Sequence, residues 1–187
     1  MSEFSLPLLG FAAWSGTGKT TLLTQLLPRL KQRGLRVGCI KHAHHDFDVD
    51  IPGKDSYELR HAGASQMLIA SAKRSALMIE SAQPELPDLR TLVGQLHVNE
   101  LDLILVEGFK AETYPKIELY RACVGKPLLY PNDPTIIAVA TDSFAELSQD
   151  CPLPVLDINS ITQIEQFVLD MSQLSHVSPA SQVRGYD

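Results

Sequence analysis

The chain has 187 residues, 44% hydrophobic and 20% charged, with a net charge of −6. That length suits one domain with a short tail, and the acidic balance argues against broad electrostatic binding to nucleic acid. No apolar run approaches the roughly 20 residues of a membrane span, and the N-terminus lacks a basic region followed by an apolar stretch, so no membrane or secretory segment is expected. Cys39, Cys123 and Cys151 are odd in number and match no zinc or disulfide spacing. Cys39 lies in an apolar run, where a small buried thiol is the expectation. A reducing cytoplasm fits this cysteine usage best.

Residues 1–5 read as a frayed end. Leu6 to Ala13 is a continuous apolar strand of the kind buried on both faces of a parallel sheet. A helix from Lys19 to Arg33 places Leu22, Leu23, Leu26, Leu27 and Leu30 on one stripe. Pro28 inside it is expected to kink it or shift its last turns, and Gly34 suits the position just past its end. Arg36 to His42 is a second strand. The polar segment that follows, His42 to Asp55, closes in a Pro-Gly turn signal. A helix over Asp55 to His61 ends at Gly63. Gln66 to Ser71 and Ser75 to Glu80 make a hairpin through residues 72–74.

Ala82 to Asp88 is a surface loop and Leu89 to Leu96 a short amphipathic helix. Leu101 to Val106 is a buried strand running into Glu107-Gly108-Phe109-Lys110. Lys116 to Tyr120 alternates as an exposed or edge strand does. Val124 to Pro134 is loop-like. Ile136 to Ala140 is buried and ends in Thr141-Asp142, and Val155 to Ile158 is a last strand. Asn159 or Ser160 caps a closing helix from Ile161 to Leu174. The domain is expected to span residues 1–174, with a disordered tail over residues 175–187.

Strands alternating with helices give an α/β fold, a mostly parallel sheet flanked by helices, with an added antiparallel hairpin or edge-strand segment. In such sheets ligands bind beyond the carboxyl ends of the strands. Four polar segments converge there: residues 16–21, residues 42–50, Glu107 to Lys110, and Thr141-Asp142.

The segment Trp14-Ser15-Gly16-Thr17-Gly18-Lys19-Thr20-Thr21 has the order and context of a phosphate-binding loop, with Ala13 where the pattern wants glycine. Gly16 and Gly18 let the backbone curl so that successive N–H groups face an anion. The helix N-terminus adds its dipole. Lys19 is placed to reach the β- and γ-phosphates of a nucleotide and Thr20 to ligate Mg²⁺. Trp14 reads as a half-buried aromatic in preference to a stacking platform.

Glu107 stands where a Walker B acid stands, able to hold Mg²⁺ or orient water, and Gly108 offers a backbone N–H to the γ-phosphate. Asp142 reads equally as a guanine-reading carboxylate or as a strand-end turn residue; the usual lysine two positions earlier is Ala140. His42, His44 and His45 with Asp46, Asp48 and Asp50 lack the spacing of a known zinc site. They read as a switch-like loop over the γ-phosphate, in preference to a structural transition-metal site. In that reading Asp48 or Asp50 sits near Mg²⁺, Asp48 joining Thr20 and Glu107 as a metal candidate and Asp50 joining Glu107 as a catalytic one. Lys54 and Lys110 complete the switch-like set.

The phosphate loop from Trp14 to Thr21, the run from Lys41-His42 to Pro52-Gly53-Lys54-Asp55-Ser56, and Val106-Glu107-Gly108-Phe109-Lys110 together closely resemble the molybdopterin-guanine dinucleotide biosynthesis adaptor protein B family (MobB), over roughly residues 6–170. The resemblance implies a P-loop NTPase fold, GTP and Mg²⁺ as ligands, weak GTPase activity and a homodimer, for which the segment Tyr114 to Leu129, with its edge-like strand free to pair with a second copy, is the expected surface. It also implies work beside the molybdenum cofactor guanylyltransferase, with a molybdopterin intermediate as a further ligand. Two other classes stay open on the same fold: a small-molecule kinase, for which Arg74, Arg90 and Arg121 are too isolated to form the usual arginine-rich lid, and a non-catalytic nucleotide-binding module.

Overall fold

In chain order the elements are β1 (Leu8–Ala13), α1 (Lys19–Gln32), β2 (Val37–Lys41), α2 (Asp55–His61), β3 (Gln66–Ser71), β4 (Arg74–Ile79), α3 (Leu89–Gly94), β5 (Leu103–Glu107), β6 (Lys116–Tyr120), β7 (Ile136–Thr141), α4 (Phe144–Asp150), β8 (Val155–Asp157) and α5 (Ile161–Met171). The computed structural model describes residue 4 and residues 6–43, 47–81 and 88–173. Residues 82–87 of the expected loop Ala82 to Asp88, and the tail over residues 175–187, lie outside them. The chain divides into two compact units, Met1–His42 with Asp88–Asp187, and Ala43–Pro87.

The first unit carries a six-stranded sheet in the order β2-β5-β1-β6-β7-β8, every neighbouring pair parallel. The apolar runs of β1 and β5 are buried along their length, as strands covered on both faces are. On one face Leu22, Leu26 and Leu30 of α1 and Ile164, Val168 and Leu169 of α5 pack on Leu9, Phe11, Leu105, Ile117 and Leu119. On the other, Leu89 and Val93 of α3 join Leu8, Ile40, Ile104, Val106, Phe109 and Tyr114. Arg29 of α1 and Arg33, which caps its C-terminus, both reach the buried Glu165 of α5, at 2.6 and 2.9 Å. Helix α1 runs on through Pro28 to Gln32. It ends in a Schellman turn: Leu35 N–H donates to Leu30 O, Gly34 N–H donates to Lys31 O, and Gly34 holds the left-handed conformation at φ 83°.

Strand β6 corrects the expectation of an edge. It lies between β1 and β7, with Lys116, Ile117, Glu118 and Leu119 all buried. The charges that made it look exposed are satisfied inside. Lys116 Nζ donates to the carbonyls of Lys110 and Glu112 and to Thr135 Oγ1 at 2.7–3.1 Å, and meets Asp133 at 3.3 Å. Glu118 accepts from the Leu129 and Tyr130 N–H groups at 2.7 and 2.9 Å. Alternation here marks buried ionic networks, which a polar-equals-exposed pattern misreads. The sheet edges are β2 and β8. Because β2 is an edge, Cys39 falls on its uncovered side and is exposed, where a buried thiol was expected. Helix α4 was not anticipated: its seven residues bury none of their side chains, so it carries no apolar stripe.

The second unit holds α2 and the β3–β4 hairpin. Gly63 follows α2 at φ 117°, as its place in the sequence required. Strands β3 and β4 pair antiparallel from Gln66↔Ile79 to Ser71↔Arg74. Arg60 of α2 ties the unit together through Asp48 at 2.7 Å and Glu80 at 2.6 Å. Leu68, Leu77 and Ile79 share one face of the hairpin and are exposed.

Candidate functional site

The parallel register brings the carboxyl ends of the strands onto one rim of the first unit. Strand β1 stops at Ala13 and α1 begins at Lys19, so residues 14–18 form the connecting loop. Gly16 and Gly18 sit at φ 84° and 93°, conformations that favour glycine. Thr17 is buried and its N–H and Oγ1 both turn back to the Trp14 carbonyl, at 3.4 and 2.8 Å. Ala13 is buried in the core, so its methyl group is accommodated where the motif has glycine. Ser15, Gly16, Thr20 and Thr21 are exposed.

Trp14 is half-buried, as expected. Its Nε1–H donates to the Pro127 carbonyl at 2.8 Å, and Lys110 and Lys126 lie over its ring at 5.0 and 5.8 Å from the centroid.

Glu107 ends β5 beside the loop. Its carboxylate lies 3.7 Å from Lys19 Nζ and 3.5 Å from Lys41 Nζ. Burial holds the Lys19 pKa below the ordinary lysine value; the Glu107 carboxylate opposes that shift, and Lys110 and Lys41 add to it. Two lysines at one glutamate, with Lys110 close enough to act on Lys19, make a local basic pocket in an acidic chain, the electrostatics an incoming phosphate requires.

Gly108 turns the chain away from β5 at φ 98°, and a β-carbon there would stand 2.5 Å from His42 Cβ. His42 is fixed against this turn: its N–H donates to Glu107 O at 2.8 Å, and its ring lies 5.2 Å from that of Phe109. Phe109 is itself buried with a positive φ of 51°. Tyr114 completes the brace, donating from its hydroxyl to the Gly108 carbonyl at 2.7 Å. Burial raises the Tyr114 pKa, so this donor stays protonated.

Asp142 follows β7 on the same rim and is paired with Arg121 at 2.9 Å. Sequence reasoning passed over Arg121 as isolated. It stands directly after β6, and the only available signal was that strand's membership of the parallel sheet, which its charges concealed.

The rim therefore gathers Trp14 to Lys19, Lys41, His42, Glu107, Gly108, Lys110, Arg121 and Asp142. Asp48, Asp50 and Lys54 belong to the second unit. Asp48 is held by two bonds from Arg60, which keeps its carboxyl below the usual range. Asp50 Oδ1 accepts from Ser56 Oγ at 3.1 Å, while Oδ2 is buried without a partner. Lys54 stands exposed just before α2. His44, His45 and Asp46 lie outside the described residues. Among the described residues no group of three His, Cys, Asp or Glu side chains is placed to hold a metal ion.

A parallel sheet, a left-handed glycine loop between its inner strand and a helix opening on lysine, and an acidic strand end beside that lysine define a P-loop nucleotide-binding fold. The sequence profile described as molybdopterin guanine dinucleotide synthesis protein B matches residues 8–142. The molybdopterin-guanine dinucleotide biosynthesis adapter protein of Escherichia coli (strain K12) is 53% identical over 169 residues, covering 90% of this chain and 94% of the relative. That of Haemophilus influenzae is 45% identical over 164 residues, covering 87% and 88%. A crystal structure of molybdopterin-guanine biosynthesis protein B superposes with a TM-score of 0.68 at 25% identity, over 88% of this chain and 99% of the other. The chain belongs to the molybdopterin guanine dinucleotide synthesis protein B family.

Proposed function

We propose that this chain is a GTP-binding adapter in molybdopterin guanine dinucleotide synthesis, working beside the guanylyltransferase that attaches GMP to molybdopterin. The observation that carries the nucleotide half is the partly desolvated Lys19 at the mouth of the glycine loop, with Lys41 and Lys110 beside it and Asp142 on the same rim. The adapter half follows from the E. coli relative's name at 53% identity. The loop suits a triphosphate: its glycines hold left-handed angles of the kind that let successive N–H groups face an anion, and Lys19 supplies a charge that water does not fully screen. Thr20 Oγ1 and the Glu107 carboxylate form a hard-oxygen set suited to Mg²⁺, which would neutralise phosphate charge there.

Hydrolysis in isolation is expected to be slow, about 10⁻⁴ to 10⁻² s⁻¹, the intrinsic range of P-loop GTPases without outside help. Glu107 is flanked by two lysines and Arg121 is tied to Asp142, so neither is free to complete the chemistry unaided. A segment near His42 that responds to a second protein suits this arrangement.

The chain acts as a homodimer in this proposal, through the hairpin. Strand β6 has a neighbour on each side, so it offers no edge. The hairpin face of Leu68, Leu77 and Ile79 is 63%, 54% and 46% exposed, and a two-stranded sheet is marginal alone, so a second copy covering this face would bury what water now touches. Three free cysteines, two of them exposed, suit a reducing cytoplasm.

The test is calorimetric titration with GTP and with ATP, each with Mg²⁺, on the parent and on Lys19→Ala. Tight, Mg²⁺-dependent GTP binding that is lost in the variant is expected. Equal GTP binding by both proteins would remove the phosphate-loop assignment.

A further inference from the structure

Arg121 bonds three other parts of the rim at once. Its Nε donates to the Thr17 carbonyl of the phosphate loop at 3.2 Å, Nη1 to Asp142 Oδ2 at 2.9 Å, and Nη2 to Asn159 Oδ1 at 3.1 Å. These partners follow β1, β7 and β8, so one planar guanidinium links the phosphate loop to two other strand ends. Only arginine offers donors in such a fork. The Arg121 and Asp142 side chains are 28% and 29% exposed. An ion pair that open contributes little to stability, so its ordering calls for another account.

Asn159 supplies it. Its own N–H donates to Asp157 Oδ1 at 2.9 Å, which fixes the turn, and its Oδ1 takes the Arg121 bond. That assignment turns the Nδ2 donors away from the guanidinium. Arg121 thus holds a carboxylate, which only accepts, and an amide NH₂, which only donates, within reach of a single group. Guanine presents the complementary set: N1–H and the 2-amine as donors, O6 and N7 as acceptors. Adenine reverses the Watson–Crick edge.

We infer that Arg121 is a positioning residue for base selection, holding Asp142 and Asn159 in register with the phosphate loop, and that Asn159 is the second base-contacting residue beside Asp142. The ligand class is a 2-amino-6-oxopurine nucleotide, and the inference rests on the proposal that the chain binds GTP.

The test titrates the parent, Arg121→Gln, Asn159→Ala, Asp142→Asn and the Arg121→Gln/Asp142→Asn double variant with GTP, XTP and ATP in the presence of Mg²⁺. The parent is expected to prefer GTP over ATP by about tenfold or more, the worth of charge-assisted base contacts. Arg121→Gln should lose most of that ratio, GTP weakening further than ATP. Asp142→Asn should shift preference toward XTP, and Arg121→Gln should change the base preference less in the Asp142→Asn background than in the parent, because part of its effect runs through that carboxylate and the rest through Asn159. Asn159→Ala should weaken GTP more than ATP. If Arg121→Gln does not fold, Arg121→Lys carries the test: a point ammonium cannot hold three separated acceptors, so the ratio falls there as well. Equal weakening of GTP and ATP in the Arg121 variants would mean a scaffold role only and overturn the inference while leaving GTP binding in place. A parent without preference for GTP would overturn both.

Discussion

Replacing Gly108 with alanine tests whether the turn after β5 is rigid. Two costs are readable. The residue sits at φ 98°, and the added β-carbon would stand 2.5 Å from His42 Cβ. A left-handed conformation costs a non-glycine residue about 1–2 kcal/mol. The contact is far inside van der Waals range, and His42 cannot recede freely: its N–H is bonded to Glu107 O and its ring lies against Phe109. Forcing an atom into so fixed a place costs about 1–3 kcal/mol more. Gly108→Ala should therefore lower stability by about 2–5 kcal/mol, a large part of the 5–15 kcal/mol typical of a domain. Gly16→Ala is the control: its φ is 84°, but nothing lies within 4 Å of the added carbon, so it carries only the first cost. Urea unfolding of both variants isolates the steric part by difference. If Gly108→Ala costs no more than Gly16→Ala, His42 is not held against the turn and the brace has been misjudged.

Thr20→Ala and Glu107→Gln should each weaken the Mg²⁺ dependence of nucleotide binding, Thr20 more strongly; calorimetry with and without Mg²⁺ checks this, and unchanged dependence in Glu107→Gln removes its Walker B role. Burial raises the Glu118 carboxyl above its ordinary value of 4.5. The folded chain thus binds that proton more readily than the unfolded one, and the contribution to stability declines as pH rises from about 4.5 through the folded value. Glu118→Gln should flatten that part of the pH profile. It should also cost about 1–3 kcal/mol at neutral pH, because an amide donor then faces the Leu129 or Tyr130 N–H; unfolding across pH measures both. Leu77→Asp should leave a monomer where the parent is a dimer by light scattering; a parent that is monomeric at micromolar concentration counts against the hairpin surface.

Local chemistry made much of the site legible. Gly16, Gly18 and Lys19 announce their loop because the backbone angles and the charge are dictated within a few residues. Glu107 is legible because it ends an apolar strand. The hairpin is legible from two short apolar runs around a short polar turn, and α2 from the glycine that ends it. What escaped notice depends on distant partners. Lys116 and Glu118 look solvent-facing until Thr135, Leu129 and Tyr130 are in place to bond them. Arg121 looks isolated because its acceptors are 104, 21 and 38 residues away. Helix α4 has no buried side chain to leave a periodic mark.

In the proposal above, this chain serves guanylylation through a bound nucleotide. The most direct measurement is the rate of molybdopterin guanylylation by purified guanylyltransferase at limiting GTP, with the parent protein, with Lys19→Ala, and with neither. More product is expected with the parent than without it, and no such gain from Lys19→Ala. Equal product from the parent and Lys19→Ala would contradict it and return the chain to the other P-loop reading, a small-molecule kinase.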